Sequence, residues 1–395
     1  MISDASRPYI DASVPVLRQH GLTITRLFYQ NMLGAHPELT RIFNMGNQAN
    51  GAQQQSLASA VFAYAANIGN PGALGPVVNR IVHKHVSVGI RAEHYPIVGR
   101  HLLGAIAATL GDAATEPLLG AWKEAYNSLA KLLIAAEAEM YGTAGIQPGE
   151  TRPMRVTEVV RESENVVSFR FVAADDKPLP AFRAGQYVSV AVDLPDGSHQ
   201  LRQYSLSDAP GTAAADRASQ RISVKREDAD TGTPAGMLSN WLHRNVQVGS
   251  ILQVSHPFGE FTPDTEGEQP IVLLSAGIGI TPMVSSLKRI AEVNPRRRVI
   301  FAHAARDATH HPLREEVGAL KDVMPNLSLV TFYEDAQGRM DVSKLPSWPR
   351  EGANVWLCGP HKFMQAQWLS LLHLGVPAAR LHREVFGPEL LDHLL

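Results

Sequence analysis

The sequence predicts a multidomain chain: an all-α N-terminal domain, then an antiparallel β-barrel domain, then an α/β domain built on a parallel sheet. Three observations carry this prediction. Apolar residues recur at helical spacing from Ser13 to Gly142. A stretch rich in Gly, Pro and polar residues, TAGIQPGETRP from Thr143 to Pro153, then ends that rhythm. Beyond it, short alternating or apolar runs give way after Pro270 to buried-type strands that alternate with helices. At 395 residues the chain exceeds what one core fills, and two or three domains are expected. The limits read from these shifts are 1–142 for the helical domain, 143–152 for a linker, 153–266 for the barrel and 267–395 for the α/β domain.

In the helical part the clearest stripe is Leu118, Trp122, Ala125, Leu129, Leu132, Ala136 and Met140, which predicts one buried helix face. A second stripe, Leu74, Val78, Ile81 and His85, places an imidazole on the inward side of its helix. His83 is two residues away and points elsewhere, so the two histidines are poorly placed to chelate one metal. A single inward histidine suits a haem iron, whose in-plane ligands come from the porphyrin, but a hydrogen-bonded core histidine has the same pattern. In the middle of the chain, Arg155 to Arg161, Val166 to Val172, Gln186 to Val192, Leu201 to Leu206, Arg221 to Lys225 and Ile251 to Ser255 read as the barrel strands. Pro234 to Val246 reads as a helix with Met237, Leu238, Trp241 and Leu242 on its apolar face. The last part offers strands at Ile271 to Leu274, Val299 to Ala302, Leu327 to Phe332 and Val355 to Leu357, with a helix from Thr281.

Composition narrows the function classes. A net charge of -2, a pI near 6.8, 45% hydrophobic and 19% charged residues describe an ordinary globular protein with no nucleic-acid or membrane-surface footprint. The short cluster Arg296, Arg297 and Arg298 reads as a solvated turn. No apolar run is long enough for a membrane span, and Met1 to Leu17, with Asp4 and Asp11, does not read as a secretory signal. A cytoplasmic monomer is the expectation. The one cysteine, Cys358, rules out an internal disulfide and a four-thiolate iron–sulfur cluster within the chain. Electron transfer, if it occurs, would therefore run through organic or haem cofactors.

Three short motifs carry chemistry. Ser275-Ala276-Gly277-Ile278-Gly279-Ile280-Thr281-Pro282 follows a buried strand and opens a helix, the context in which backbone N–H groups hold a pyrophosphate. Pro282 stands where the dinucleotide fingerprint has its third glycine, and no acidic residue clearly ends the second strand, where Arg306 fits NADH or NADPH. Cys358-Gly359-Pro360 ends another buried strand on the same sheet edge. In the barrel, Arg202-Gln203-Tyr204-Ser205 offers a cation for phosphate, an aromatic face for stacking and a hydroxyl for a ring nitrogen. Strand alternation sends Arg202 and Tyr204 to one face, Gln203 and Ser205 to the other.

Taken in order, Arg202 to Ser205, Gly236-Met237-Leu238-Ser239, Ala276 to Pro282 and Cys358 to Pro360 resemble the signature of the ferredoxin reductase superfamily. The resemblance implies FAD on the barrel at Tyr187, Arg202, Gln203, Tyr204, Ser205, Gly236 and Ser239, with the ring at Tyr204 and the pyrophosphate near Arg202 and Ser239. It implies NADH or NADPH at Ala276, Gly277, Ile278, Gly279, Ile280, Thr281, Pro282, Cys358, Gly359 and Pro360.

The helical domain adds a second resemblance. Tyr29, the stretch Asn31 to Met45, Gln53, Leu57, Lys84-His85, Tyr95 and Glu137 resemble the globin domain of flavohaemoglobins, and the closing Glu384-Val385-Phe386-Gly387-Pro388 resembles the segment that packs on the flavin in that family. This implies haem b with His85 as proximal iron ligand, Tyr95 and Glu137 behind it, and Tyr29, Phe43, Gln53 and Leu57 on the opposite, gas-binding side. Lys84 and Glu384 are implied to tune the two redox centres, and Val385, Phe386, Gly387 and Pro388 to contact FAD. The implied activity is that of a nitric oxide dioxygenase: NAD(P)H reduces FAD, FAD reduces the haem, and the ferrous haem uses O2 to oxidise nitric oxide to nitrate. A lipid is also compatible with the haem pocket. Two other readings stay open: an oxygen carrier or gas sensor with an attached haem reductase, and a flavin reductase with a helical partner-binding domain.

Overall fold

The computed structural model describes residues 2–43, 48, 51–211, 218–230 and 234–388, without the side chains of Pro71 and Ala73. Asn44 and Met45, the end of the globin-like stretch, lie outside the described residues. The chain forms two compact units. One contains the N-terminal stretch to Glu150 together with Asp193–Leu201; the other contains Thr151–Val192 and Arg202–Phe386. No helix among the described residues is long and apolar enough to cross a membrane.

The first unit is helical: α1 (Arg7–Ala35), a 3-10 turn (Pro37–Arg41), α2 (Ala52–Ala66), α3 (Pro71–Val88), α4 (His94–Leu110) and α5 (Glu116–Ala144). Along α1, Ile10, Leu17, Ile24, Phe28 and Met32 recur on one face and are almost wholly buried against Phe62 of α2, Leu102 and Ile106 of α4 and Trp122 of α5. Trp122 Nε1 donates to the buried Ser13 Oγ at 3.2 Å, so the indole N–H is not left unpaired in this core. Gly89 ends α3 in the left-handed region (φ 81°), where the N–H of Ile90 returns to the His85 carbonyl at 3.0 Å. A side chain at Gly89 would also meet the backbone of Gly149, so both conformation and space demand glycine there.

One expectation is corrected on α5. Its buried face runs through Trp122, Ala125, Leu133, Glu137 and Tyr141, whereas Leu132 is 51% exposed. Past Leu129 the inward positions move on by one residue, so that Leu133 takes the place of Leu132 and the Glu137 carboxylate takes the place that apolar patterning gave to Ala136.

The second unit holds two sheets. The antiparallel one contains β1 (Thr151–Arg161), β2 (Val166–Ala173), β3 (Tyr187–Asp193), β4 (His199–Ser205), β5 (Gln220–Lys225) and β6 (Ile251–Ser255) in the order β4-β3-β6-β1-β2-β5. A single bridge between Leu206 and Ile222 brings its two edges together, so the sheet curls toward a barrel. Between β5 and β6 lies α6 (Met237–Asn245), with Leu238 and Leu242 buried. The parallel sheet contains β7 (Ile271–Ala276), β8 (Val299–Ala305), β9 (Leu327–Tyr333), β10 (Asn354–Cys358) and β11 (Leu381–Glu384) in the order β11-β10-β7-β8-β9. Helices α7 (Ile280–Val293), α8 (Arg314–Ala319) and α9 (His361–His373) connect its strands. The order reverses between β7 and β10, which makes their carboxyl ends the switch point where such sheets bind ligands.

A polar seam joins the two sheets of this unit. Asp208, just past β4, pairs with Arg170 of β2 (2.6 Å) and with Lys288 of α7, while Lys288 also reaches Glu316 of α8 at 2.5 Å. Burial alone would raise the Asp208 carboxyl; the Lys288 ammonium, with Arg221 and Arg170, overcomes this and holds it at about 2. A depressed carboxyl contributes stability above its unfolded pKa near 3.8 and loses it as pH falls toward the folded value. The loss is on the order of 2 kcal/mol between about pH 5 and pH 2. Urea titrations of the wild type and Asp208→Asn over that range are expected to show a smaller acid loss in the variant; parallel curves would remove Asp208 as the source.

Candidate active site

The three helices around His85 bring together residues 52 positions apart in sequence. His85 sits in the last turn of α3, Tyr95 in the first turn of α4, and Glu137 on the buried face of α5. His85 Nδ1 lies 2.7 Å from Glu137 Oε1 and 3.1 Å from the Tyr95 hydroxyl, and that hydroxyl donates to the same Oε1 at 2.5 Å. Burial, then the Glu137 carboxylate, pushes the Tyr95 phenol far up, so it stays a donor. Because a carboxylate only accepts, its contact assigns the imidazole proton to Nδ1 and leaves the Nε2 lone pair free to bind a metal. Nε2 has no hydrogen-bond partner among the described residues.

This arrangement is supported from behind. Tyr126 donates to the Tyr95 carbonyl at 2.6 Å, and Tyr141 to the Ile90 carbonyl at 2.9 Å, so both ends of the turn between α3 and α4 are tied to α5. Leu74, Val78, Ile81 and His85 form a half-buried apolar stripe beside the fully buried Val77, Val82 and Val86. No cluster of three or more His, Cys, Asp or Glu side chains among the described residues could hold a metal ion. A lone nitrogen ligand on an apolar, partly open face fits a haem, which brings four ligands of its own.

Tyr29 is buried on α1, with its ring edge-on to Phe28 (4.8 Å between centroids) and to Phe43 (5.7 Å). Burial pushes its hydroxyl up to about 12, against the opposing effect of hydrogen bonds with Gln53 and Gln48. Leu57 packs against the same core. The structure thus gathers Tyr29, Phe43 and Gln53, and adds two residues that the sequence reading missed. Gln54 Nε2 donates to Gln48 Oε1 at 2.9 Å, and among the described residues Gln48 Nε2 and Gln54 Oε1 are buried without partners. The QQQ run from Gln53 to Gln55 was the available signal, since a buried polar side chain needs a partner.

On the barrel, alternation along β4 is kept. Gln203 Nε2 donates across to Ser189 Oγ of β3 at 3.2 Å, while Arg202 lies beside Tyr204 on the other face. The Ser205 hydroxyl is buried and has no partner among the described residues, an unusual state that a flavin ring nitrogen would relieve. Tyr187 pairs with Phe258 through both backbone groups, at 2.8 and 2.9 Å. Ser239 Oγ donates to the Gly236 carbonyl (3.3 Å) and accepts from the Glu227 N–H (3.2 Å). That hydroxyl therefore shapes the N-terminus of α6, leaving the helix N–H groups to face a phosphate. Phe386, 45% exposed, offers an open aromatic face just after β11. These residues fit FAD.

At the switch point, β7 and β10 pair in register, Ser275 opposite Cys358. Gly277 adopts φ 53° with open space around it, so it is required for its conformation. Gly279 has ordinary helical angles but touches the Cys358 carbonyl and the Gly359 nitrogen so closely that a Cβ has no room. Ala276 to Pro282 and Cys358 to Pro360 thus line one edge, with Thr281 Oγ1 bonded to the Ile278 carbonyl at 3.0 Å. Asp307, the acidic residue after β8, caps its own turn by accepting from Thr309 and His310, while Arg306 is exposed. Cys358 is fully buried, and burial, then the Glu384 carboxylate opposite it on β11, pushes its thiol well up. Lys84 lies on α3 next to His85.

Comparison with known proteins places these features. The Globin family profile matches residues 26–133, the oxidoreductase FAD-binding domain profile residues 153–262, and the oxidoreductase NAD-binding domain profile residues 273–368. The flavohemoprotein of Chromobacterium violaceum is 47% identical, covering 98% of each chain. That of Bordetella parapertussis is 46% identical over 98% of this chain and 99% of its own. A flavohemoglobin of Malassezia yamatoensis, solved with bound FAD and heme, superposes with a TM-score of 0.86 at 31% identity, over 98% of this chain and 100% of that one. The FAD/NAD-binding domain of a nitric oxide dioxygenase from Vibrio cholerae covers 60% of this chain at 36% identity, with a TM-score of 0.56. With full-length identity at this level and all three modules in order, the chain belongs to the flavohaemoprotein family, a haem-binding globin joined to an FAD- and NAD(P)-binding oxidoreductase.

Proposed function

We propose that the chain is a nitric oxide dioxygenase, consuming one NAD(P)H, two O2 and two nitric oxide molecules to give two nitrate ions, NAD(P)+ and a proton. The bound cofactors supply hydride, conversion of an electron pair to single electrons, and gas chemistry at iron. The observation that carries this reading is the 2.7 Å contact between His85 Nδ1 and the buried Glu137 carboxylate. Pulling on the N–H makes Nε2 a more electron-donating ligand, which favours oxygen activation over reversible carriage. Tyr29 supports it from the other side of the site, because its hydroxyl keeps its proton and can donate to a ligand on which negative charge develops. O2 and nitric oxide are the small-molecule partners of this reading, and the cytoplasm its compartment.

The test is turnover. With NAD(P)H in limiting amount under air, two nitrate ions are expected per NAD(P)H consumed, and failure to form nitrate over repeated turnovers would leave a gas carrier or sensor. Tyr29→Phe is expected to release O2 from the ferrous protein about a hundredfold faster, the equivalent of the roughly 3 kcal/mol that one preorganised donor contributes. A stopped-flow displacement measurement reads that rate directly; an unchanged value would remove Tyr29 from the site.

A further inference from the structure

The polar seam of the reductase unit closes into a ring. Lys288 binds Asp208 on one side and Glu316 on the other (2.5 Å). Glu316 binds Arg221 of β5 at 2.9 Å, and Arg221 returns to Ser207, the neighbour of Asp208, through Nε (3.1 Å) and through a bond from Nη2 to the Ser207 carbonyl. Ser285, one turn before Lys288 on α7, donates its hydroxyl to the Asp208 carbonyl at 2.7 Å. All four charged side chains are largely buried, Arg221 most deeply at 9% exposure. Ionic rings in such places are costly to desolvate and are no better glue than apolar packing; what this ring adds is a fixed set of directional partners between β5, α7, α8 and the residues just past β4.

What the ring holds is specific. Asp208 lies three residues beyond Ser205, and the residues between, Leu206 and Ser207, are fully buried and bonded to the Gln186 and Arg221 carbonyls at 2.9 Å each. Lys288 lies about two turns into α7, whose start is the Gly277–Gly279 turn and whose Ile280, Met283, Val284 and Leu287 are wholly buried. Each side of the ring is therefore a short, rigid lever: one ends at the flavin-facing hydroxyl, the other at the nucleotide turn. We propose that Lys288 is a positioning residue for hydride transfer, setting through Asp208 and Glu316 the approach of the nicotinamide ring to the flavin on β4. In that step two electrons and one proton leave the dihydronicotinamide as hydride and form a bond to the flavin, which takes its second proton from solvent. The inference rests on the reductase chemistry of the family and not on the nitric oxide reading.

The experiment uses the full-length protein loaded with haem and FAD, mixed anaerobically with NADH or NADPH in a stopped-flow instrument. Lys288→Met is expected to slow the limiting rate of FAD bleaching by about tenfold or more, as small misplacements of reacting groups do, while the nucleotide dissociation constant changes by less than about twofold. The long-wavelength absorbance of reduced nicotinamide stacked on oxidised FAD is expected to weaken, and Lys288→Arg to restore part of both signals. A purely structural role would lower the unfolding midpoint without this split. A wild-type limiting rate and unchanged absorbance in FAD-replete Lys288→Met, or a change confined to the dissociation constant, would overturn the proposal. If Lys288→Met does not retain FAD, Glu316→Gln, which keeps its volume and loses one of the two carboxylates, is read by the same two outcomes. Because the signal ends at FAD, a protein that makes no nitrate would still give either answer.

Discussion

His85→Ala is expected to yield a folded flavoprotein that retains almost no haem while still reducing an artificial dye from NAD(P)H. The geometry equips the imidazole to reach an iron: its Nδ1 is held by Glu137 at 2.7 Å, and among the described residues its Nε2 has no protein partner. Removing it would take away the proposed protein ligand of the iron, and among the described residues it leaves the Glu137 carboxylate, 4% exposed, with the Tyr95 hydroxyl as its remaining partner. An incompletely paired buried carboxylate costs about 1–3 kcal/mol or more, so the helical unit is expected to unfold at a lower temperature as well. The reductase unit has its own sheets and core and is expected to be unaffected. The measurement is the Soret absorbance per FAD after reconstitution, with added imidazole expected to restore part of it. Full haem occupancy in the variant would show that another residue binds the iron.

The second large effect is expected from Gly279→Val. Its side chain would have to occupy the space of the Cys358 carbonyl and the Gly359 nitrogen, both backbone groups. Neither can yield easily, because β10 is held on one side by β7 and on the other by β11. The turn between β7 and α7 must therefore move, and with it the N–H groups proposed to hold the nucleotide pyrophosphate. Reduction of FAD by NAD(P)H is expected to fall by about a hundredfold or more, while reduction by dithionite, which needs no nucleotide site, stays at the wild-type rate. Equal loss with both reductants would mean that the flavin site had been damaged instead. Gly277→Ala makes a useful contrast, since there is open space around that position and any effect would come from its φ of 53°.

Much of this architecture was legible in the residues, for reasons that differ from element to element. Ile251–Ser255 is a strand over the span its alternation indicates, because one side faces the core (Leu252, Val254) and the other solvent. Leu381–Glu384 shows no such signal: LHRE has one apolar residue, and it is a strand because β10 offers it a parallel partner. The order β11-β10-β7-β8-β9 and the bridge from Leu206 to Ile222 are long-range facts that no local pattern encodes. Within the candidate site, helix-face arithmetic singled out His85 but could not supply its partners. Tyr95 and Glu137 come from other helices, and hydrophobicity alone would have turned Leu132 inward along the stripe that the structure continues through Leu133 and Glu137. The ring around Lys288 was equally hidden, since its ion pairs join residues 28 to 95 positions apart and each charge, taken singly, reads as surface charge.

Cys358 bears on a hazard of the proposed chemistry. Nitrosation, glutathione capture and overoxidation of a thiol all need an accessible sulfur with thiolate character. The chain has one cysteine; it is fully buried, locked into the middle of a parallel sheet, and its thiol is held well toward the protonated form. Under the proposed chemistry the chain thus offers reactive nitrogen species no accessible thiol.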